Sequence, residues 1–149
     1  MTCIVNPEKR GTKIVYRNAI ATFNMLYLLS VKSYGNTNNA DGGSMERVIQ
    51  IVTTGDDRGV IEKIGRNLVE KRLVACAQIL GPIQSIYRWK GAVENASEWL
   101  LLMKSKASLY PSIEKEIQCQ HPYELPEIIA TDIDKGLAGY MDWVVSETQ

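Results

Sequence analysis

The sequence predicts an α+β fold, a ferredoxin-like βαββαβ sandwich with a C-terminal helix: two helices on one face of a four-stranded antiparallel sheet. Three observations lead there. Apolar runs rich in β-branched residues alternate with segments whose apolar positions recur at helical spacing. From Met45 onward these segments follow the order strand, helix, strand, strand, helix, strand. The chain has 149 residues, 45% hydrophobic and 23% charged, enough for one real core and too varied for wholesale disorder.

The first strand is Val48-Ile49-Gln50-Ile51-Val52-Thr53-Thr54, β-branched and largely apolar. Gly55-Asp56-Asp57 breaks it and supplies aspartates suited to cap a helix. Val60, Ile64 and Leu68 then recur four apart, with Arg58, Glu62, Lys63, Arg66 and Glu70 on the other face, predicting an amphipathic helix to about Arg72. Residues 73–80 read as a second strand, bent at Gly81-Pro82 and resumed over residues 83–89. Alternation there puts Ile83, Ser85, Tyr87 and Trp89 on one face. Lys90-Gly91 predicts a turn, and residues 97–105 a third strand. Ser108 is placed to cap a second helix carrying Leu109, Ile113 and Ile117, with Pro111 tolerated in its first turn. Pro122 and Pro126 exclude helix from the following loop, because each pushes its predecessor to an extended conformation. Residues 127–133 give the fourth strand, and the segment after Gly136 a short terminal helix. The second strand is long for a small domain, and such strands are available to a neighbouring subunit.

The 17 basic and 17 acidic side chains cancel, yet the charge is unevenly placed. Residues 1–44 hold five basic and two acidic groups, a net of +3, and residues 45–149 hold 12 and 15, a net of −3. The first 44 residues also carry six of the eight asparagines and end in a glycine-rich polar stretch of linker composition. They are read as a poorly ordered extension, with residues 45–149 as the working domain. The apolar run over residues 19–31 is too short to span a bilayer. Basic residues precede it, so a targeting signal is the competing reading. Cys3, Cys76 and Cys119 form no close pair, which reads as free thiols in a reducing, cytoplasmic compartment.

Several stretches together resemble the CutA divalent-cation-tolerance family. They are Leu68-Val69-Glu70-Lys71-Arg72-Leu73-Val74-Ala75-Cys76, then Ser85-Ile86-Tyr87-Arg88-Trp89-Lys90-Gly91 with Glu98, and His121-Pro122-Tyr123-Glu124-Leu125-Pro126-Glu127-Ile128-Ile129, closed by Tyr140 and Trp143. They span about residues 46–146 in family order. The resemblance implies a tight homotrimer, no catalytic activity, and a link to tolerance of divalent metals, with copper usually named. It also implies a ligand set of a cysteine at the end of the first strand, the motif histidine and the motif glutamate. Here His121 and Glu127 match, Thr53 stands at the cysteine position, and Gln120 replaces a second histidine found in some members. Without thiolate the soft donor that favours Cu(I) is gone, so the expected metal contact is weak.

Each of these residues also has a plainer reading. His121 before a proline in an aromatic motif suits a satisfied structural imidazole equally well, and Glu127 could pair with a neighbour. Tyr87, Trp89 and Tyr123 read as packing or interface residues. The rival function is a signalling or anchoring module like the PII sensors, binding a small ligand or partner at subunit clefts, on fold analogy alone. Tyr87-Arg88-Trp89-Lys90 hints at RNA, but the glycine–aromatic series is missing and the domain is net −3. No nucleophile–base set or phosphate loop is present in the sequence, so neither an enzyme nor a nucleic-acid or membrane partner is expected.

Overall fold

The computed structural model describes residues 46–149. The extension at residues 1–44, its apolar run and Cys3 lie outside the described residues. Within them the chain forms β1 (Val48–Gly55), α1 (Arg58–Glu70), β2 (Cys76–Trp89) and β3 (Ala92–Lys106). A 3-10 turn (Ala107–Leu109), α2 (Tyr110–Gln120), β4 (Ile129–Asp132) and α3 (Ala138–Glu147) follow. The strands make one mixed-order sheet, β2-β3-β1-β4, with every neighbouring pair antiparallel.

Alternation decides what becomes core. Ile49, Ile51 and Thr53 stand opposite Ser105, Met103 and Leu101, so these six side chains share one face. Ile61, Ile64 and Leu68 of α1 and Ile113 and Ile117 of α2 close over that face. Each fully buried aliphatic there contributes about 1.5–3 kcal/mol of transfer free energy.

Local chemistry sets the ends. Asp57 caps α1: its Oδ1 accepts from the Gly59 amide at 2.8 Å and the Val60 amide at 3.2 Å. At the far end the Leu73 and Val74 amides both bond the Leu68 carbonyl, and Arg72 turns the chain at φ 56. This closure delays β2 to Cys76, three residues later than the sequence reading placed it. Ser108 is not the cap of α2. The 3-10 turn leads straight into that helix, and no side chain caps it. Pro111 falls in the first turn, as expected.

The β2–β3 hairpin outruns the rest of the sheet. β1 meets β3 only from Trp99 onward, whereas residues 83–89 pair with residues 92–98 alone. The step between body and arm is a bulge between Leu80 and Ile83. Gly81 is required there: at φ +148, an added Cβ would lie 2.9 Å from Trp99 Cε3.

Among the described residues the second sheet face is left partly open. Register puts Leu80 beside Leu100, and Leu102 beside Val52, which in turn pairs with Ile129. Leu80 and Ile129 are 48% and 51% exposed. Near the other end of this face α3 reaches the sheet through Tyr140, whose hydroxyl lies 3.6 Å from Cys76 Sγ. Cys76 is a free thiol, as expected.

Candidate functional site

The loop after α2 joins the end of β1, and His121 is its first residue. Its backbone amide completes α2 by bonding the Ile117 carbonyl at 2.8 Å, after which Pro122 prevents further helix. The ring is 2% exposed. The Tyr123 backbone amide lies 3.1 Å from Nδ1, and the Thr54 carbonyl oxygen 2.8 Å from Nε2. An amide can only donate and a carbonyl only accept, so Nδ1 accepts and Nε2–H donates. The two contacts fix one neutral tautomer.

Tyr123 extends the junction. Its ring stands edge-on to His121 at 4.9 Å between centroids, and its hydroxyl donates to Glu98 Oε1 at 3.0 Å. Glu98 faces the open side of the sheet yet is only 6% exposed. Burial first, then the hydrogen bond to Glu98 and the charges of Glu98 and Asp56, raise the Tyr123 phenol well above the usual tyrosine range.

Glu127 is exposed, and its Oε2 accepts from Thr54 Oγ1 at 3.3 Å. Thr54 therefore gathers both sequence-predicted site residues, His121 on its carbonyl and Glu127 on its hydroxyl. Thr53 does not join them. It is fully buried on the covered sheet face, opposite to the Thr54 hydroxyl, and its Oγ1 has no hydrogen-bond partner among the described residues. The Gln120 side-chain amide donates to Glu116 Oε1 at 2.8 Å.

This arrangement fits a divalent ion poorly. Both imidazole nitrogens are committed to backbone groups, one carboxylate remains, and the position of the family's thiolate holds a hydroxyl with no partner among the described residues. Among the described residues no cluster of three or more His, Cys, Asp or Glu is placed to hold a metal. Sequence reasoning missed the roles of Thr54 and Glu98. The available signal was the acidic Glu98 at the head of an apolar strand, a residue that a buried donor must satisfy.

Surface grooves among the described residues lie elsewhere. One of about 310 Å³ runs between α1 and β2 past Gly65, Val69 and Ile79, and one of about 430 Å³ borders Glu114, Glu124 and Leu125. Neither is lined by His121, Tyr123 or Glu127.

Fold and junction together define a class: a small α+β protein with one covered and one open sheet face, and a polar loop latched at the sheet end. Among known proteins this class has a definite counterpart. Residues 49–147 match the family described as CutA1 divalent ion tolerance protein, and the chain belongs to that family. It is 38% identical over 104 residues to the divalent-cation tolerance protein CutA of Thermus thermophilus, covering 70% of this chain and 99% of that one. It is 41% identical over 90 residues to Protein CutA of Mus musculus, covering 60% of this chain and 51% of that protein. The match thus spans about half the length of the mammalian relative. The solved CutA1 structure from Oryza sativa superposes with a TM-score of 0.69 at 27% identity, over 72% of this chain and 98% of that one. The Thermus thermophilus structure gives 0.66 at 38% identity, over 70% and 100%. One relative is named chloroplastic and one solved structure periplasmic, so a single compartment does not characterise the family.

Proposed function

We propose that the protein is a ferredoxin-like subunit of a homotrimer that contributes to tolerance of divalent metals without catalysing a reaction. The observation that carries the assembly is the open sheet face. Val52, Leu80, Leu100, Leu102 and Ile129 adjoin one another there, and on its other face the hairpin arm carries Ile86 and Val93, 69% and 60% exposed. Contiguous apolar surface of this kind marks an interaction site. Cyclic closure by three copies covers such a face and leaves no open chain of contacts.

Family membership supports the metal role, since the Thermus thermophilus relative is named for divalent-cation tolerance. Metal contact on this reading is weak and centres on the exposed Glu127 carboxylate. Copper, the ion the resemblance names, finds no soft donor at Thr53. No helix among the described residues is long and apolar enough to cross a membrane.

The role is tested by growth in graded Cu(II) and Zn(II) of the source cells with and without the gene. Loss of the gene lowers the tolerated concentration at least twofold, and the wild-type gene restores it. Unchanged tolerance to every divalent cation tried overturns the reading.

A further inference from the structure

We infer that His121 is a positioning residue that latches the 121–127 loop to the end of β1, and that it is not a ligand for a divalent metal. A metal ligand needs a free lone pair aimed at open space. In this chain the Nδ1 lone pair receives the Tyr123 amide, and Nε2 carries the hydrogen that it gives to the Thr54 carbonyl. Coordination at Nε2 strands the Thr54 carbonyl in a buried contact, and coordination at Nδ1 takes the acceptor from the part-buried Tyr123 amide. The end of β1 also runs beside the ring. A Cβ built at Gly55 would lie 3.5 Å from His121 Nε2, so this strand end adjoins that nitrogen.

The same bonds explain what the ring does. The contact from the Tyr123 amide to Nδ1 closes a tight turn two residues long, the turn that an Asn or Asp side chain makes with its own backbone. Pro122, inside the turn, has no amide to compete for Nδ1. Closing the turn sets the Tyr123 ring against His121 and its hydroxyl on Glu98. The bond from Nε2 to Thr54 pins this assembly to the strand whose hydroxyl also holds Glu127. His121 thus orders Tyr123 and Glu127 without itself facing a ligand.

The inference concerns the ring alone and stands apart from the tolerance proposal. Two variants of the full chain separate the roles. His121→Asn keeps an acceptor for the Tyr123 amide and loses the reach to Thr54, whereas His121→Phe loses both. The readouts are Tyr123 amide hydrogen exchange, Zn(II) affinity by calorimetry, and the ring nitrogens of the wild type by 15N NMR during Zn(II) titration. A latch predicts exchange at Tyr123 at least tenfold faster in His121→Phe than in His121→Asn. It also predicts Zn(II) affinity within twofold of wild type in both, and wild-type ring resonances that hold one Nε2–H tautomer throughout. A ring resonance displaced by stoichiometric Zn(II), or a tenfold loss of affinity in both variants, overturns it. If His121→Phe does not fold, the wild-type titration still decides. A negative growth assay leaves these results intact, since they read nitrogens and not tolerance.

Discussion

The Tyr123 hydroxyl donates to Glu98 Oε1 at 3.0 Å, joining the loop after α2 to a strand residue 25 positions earlier. Glu98 is 6% exposed, and this bond is what satisfies its carboxylate among the described contacts. Removing the donor leaves a nearly buried carboxylate without its partner. Tyr123→Phe is therefore expected to cost about 1–3 kcal/mol, read as a lower urea midpoint. Tyr123→Phe combined with Glu98→Gln costs less than the sum of the single changes, because the pair is one interaction.

The same phenol sets a pH dependence. An unfolded tyrosine loses its proton near about pH 10, while native Tyr123 holds its proton to higher pH, chiefly through burial and then through Glu98. The native state thus binds more protons above the ordinary value, so stability falls as pH rises through that range. The contribution is fully present below the unfolded value. Urea midpoints measured from pH 8 to pH 11 should bring wild type and Tyr123→Phe closer together at the alkaline end. A gap that widens there contradicts the burial of this proton.

Thr53 offers a test of opposite sign. Its hydroxyl is fully buried and unpartnered among the described residues, on the face lined by Ile49, Ile51 and Leu101. Thr53→Val keeps the shape and removes the unpaired group, and is expected to stabilise by about 1 kcal/mol or more. A thermal shift upward supports this. A marked loss of stability means that the hydroxyl has a partner that the fold does not display.

The helix cap gives a third stability test. Asp57 Oδ1 holds two amides of the first turn of α1. Asp57→Ala should cost about 1 kcal/mol, measured by the same denaturation series. No loss would mean that water satisfies those amides as well as the carboxylate does.

Much of this architecture was legible because periodicity is a local property. The spacing of Ile61, Ile64 and Leu68 announces the buried stripe of α1, and the aspartates before it announce the cap. The ends were less legible for equally physical reasons. The early part of β3, Ala92-Val93-Glu94-Asn95-Ala96, has no apolar alternation, and only its pairing with β2 makes it a strand. Ser108 has the chemistry of a cap and is bypassed by a 3-10 turn that no local signal marks. At the site, the sequence singled out His121 and Glu127 but could not show that Thr54 holds both, because one of the contacts uses a backbone carbonyl. Backbone acceptors carry no residue identity, so such a latch is visible only once the chain is folded.

The most direct test of the central claim is the molar mass of the full chain in solution, by size-exclusion chromatography with light scattering. If the open face of Val52, Leu80, Leu100, Leu102 and Ile129 is an interface, the species elutes at three times the 16.7 kDa chain mass. Leu102→Glu, which puts a charge in the middle of that face, then shifts it to the single-chain mass. A wild-type protein that runs as a 16.7 kDa monomer at micromolar concentration contradicts the account.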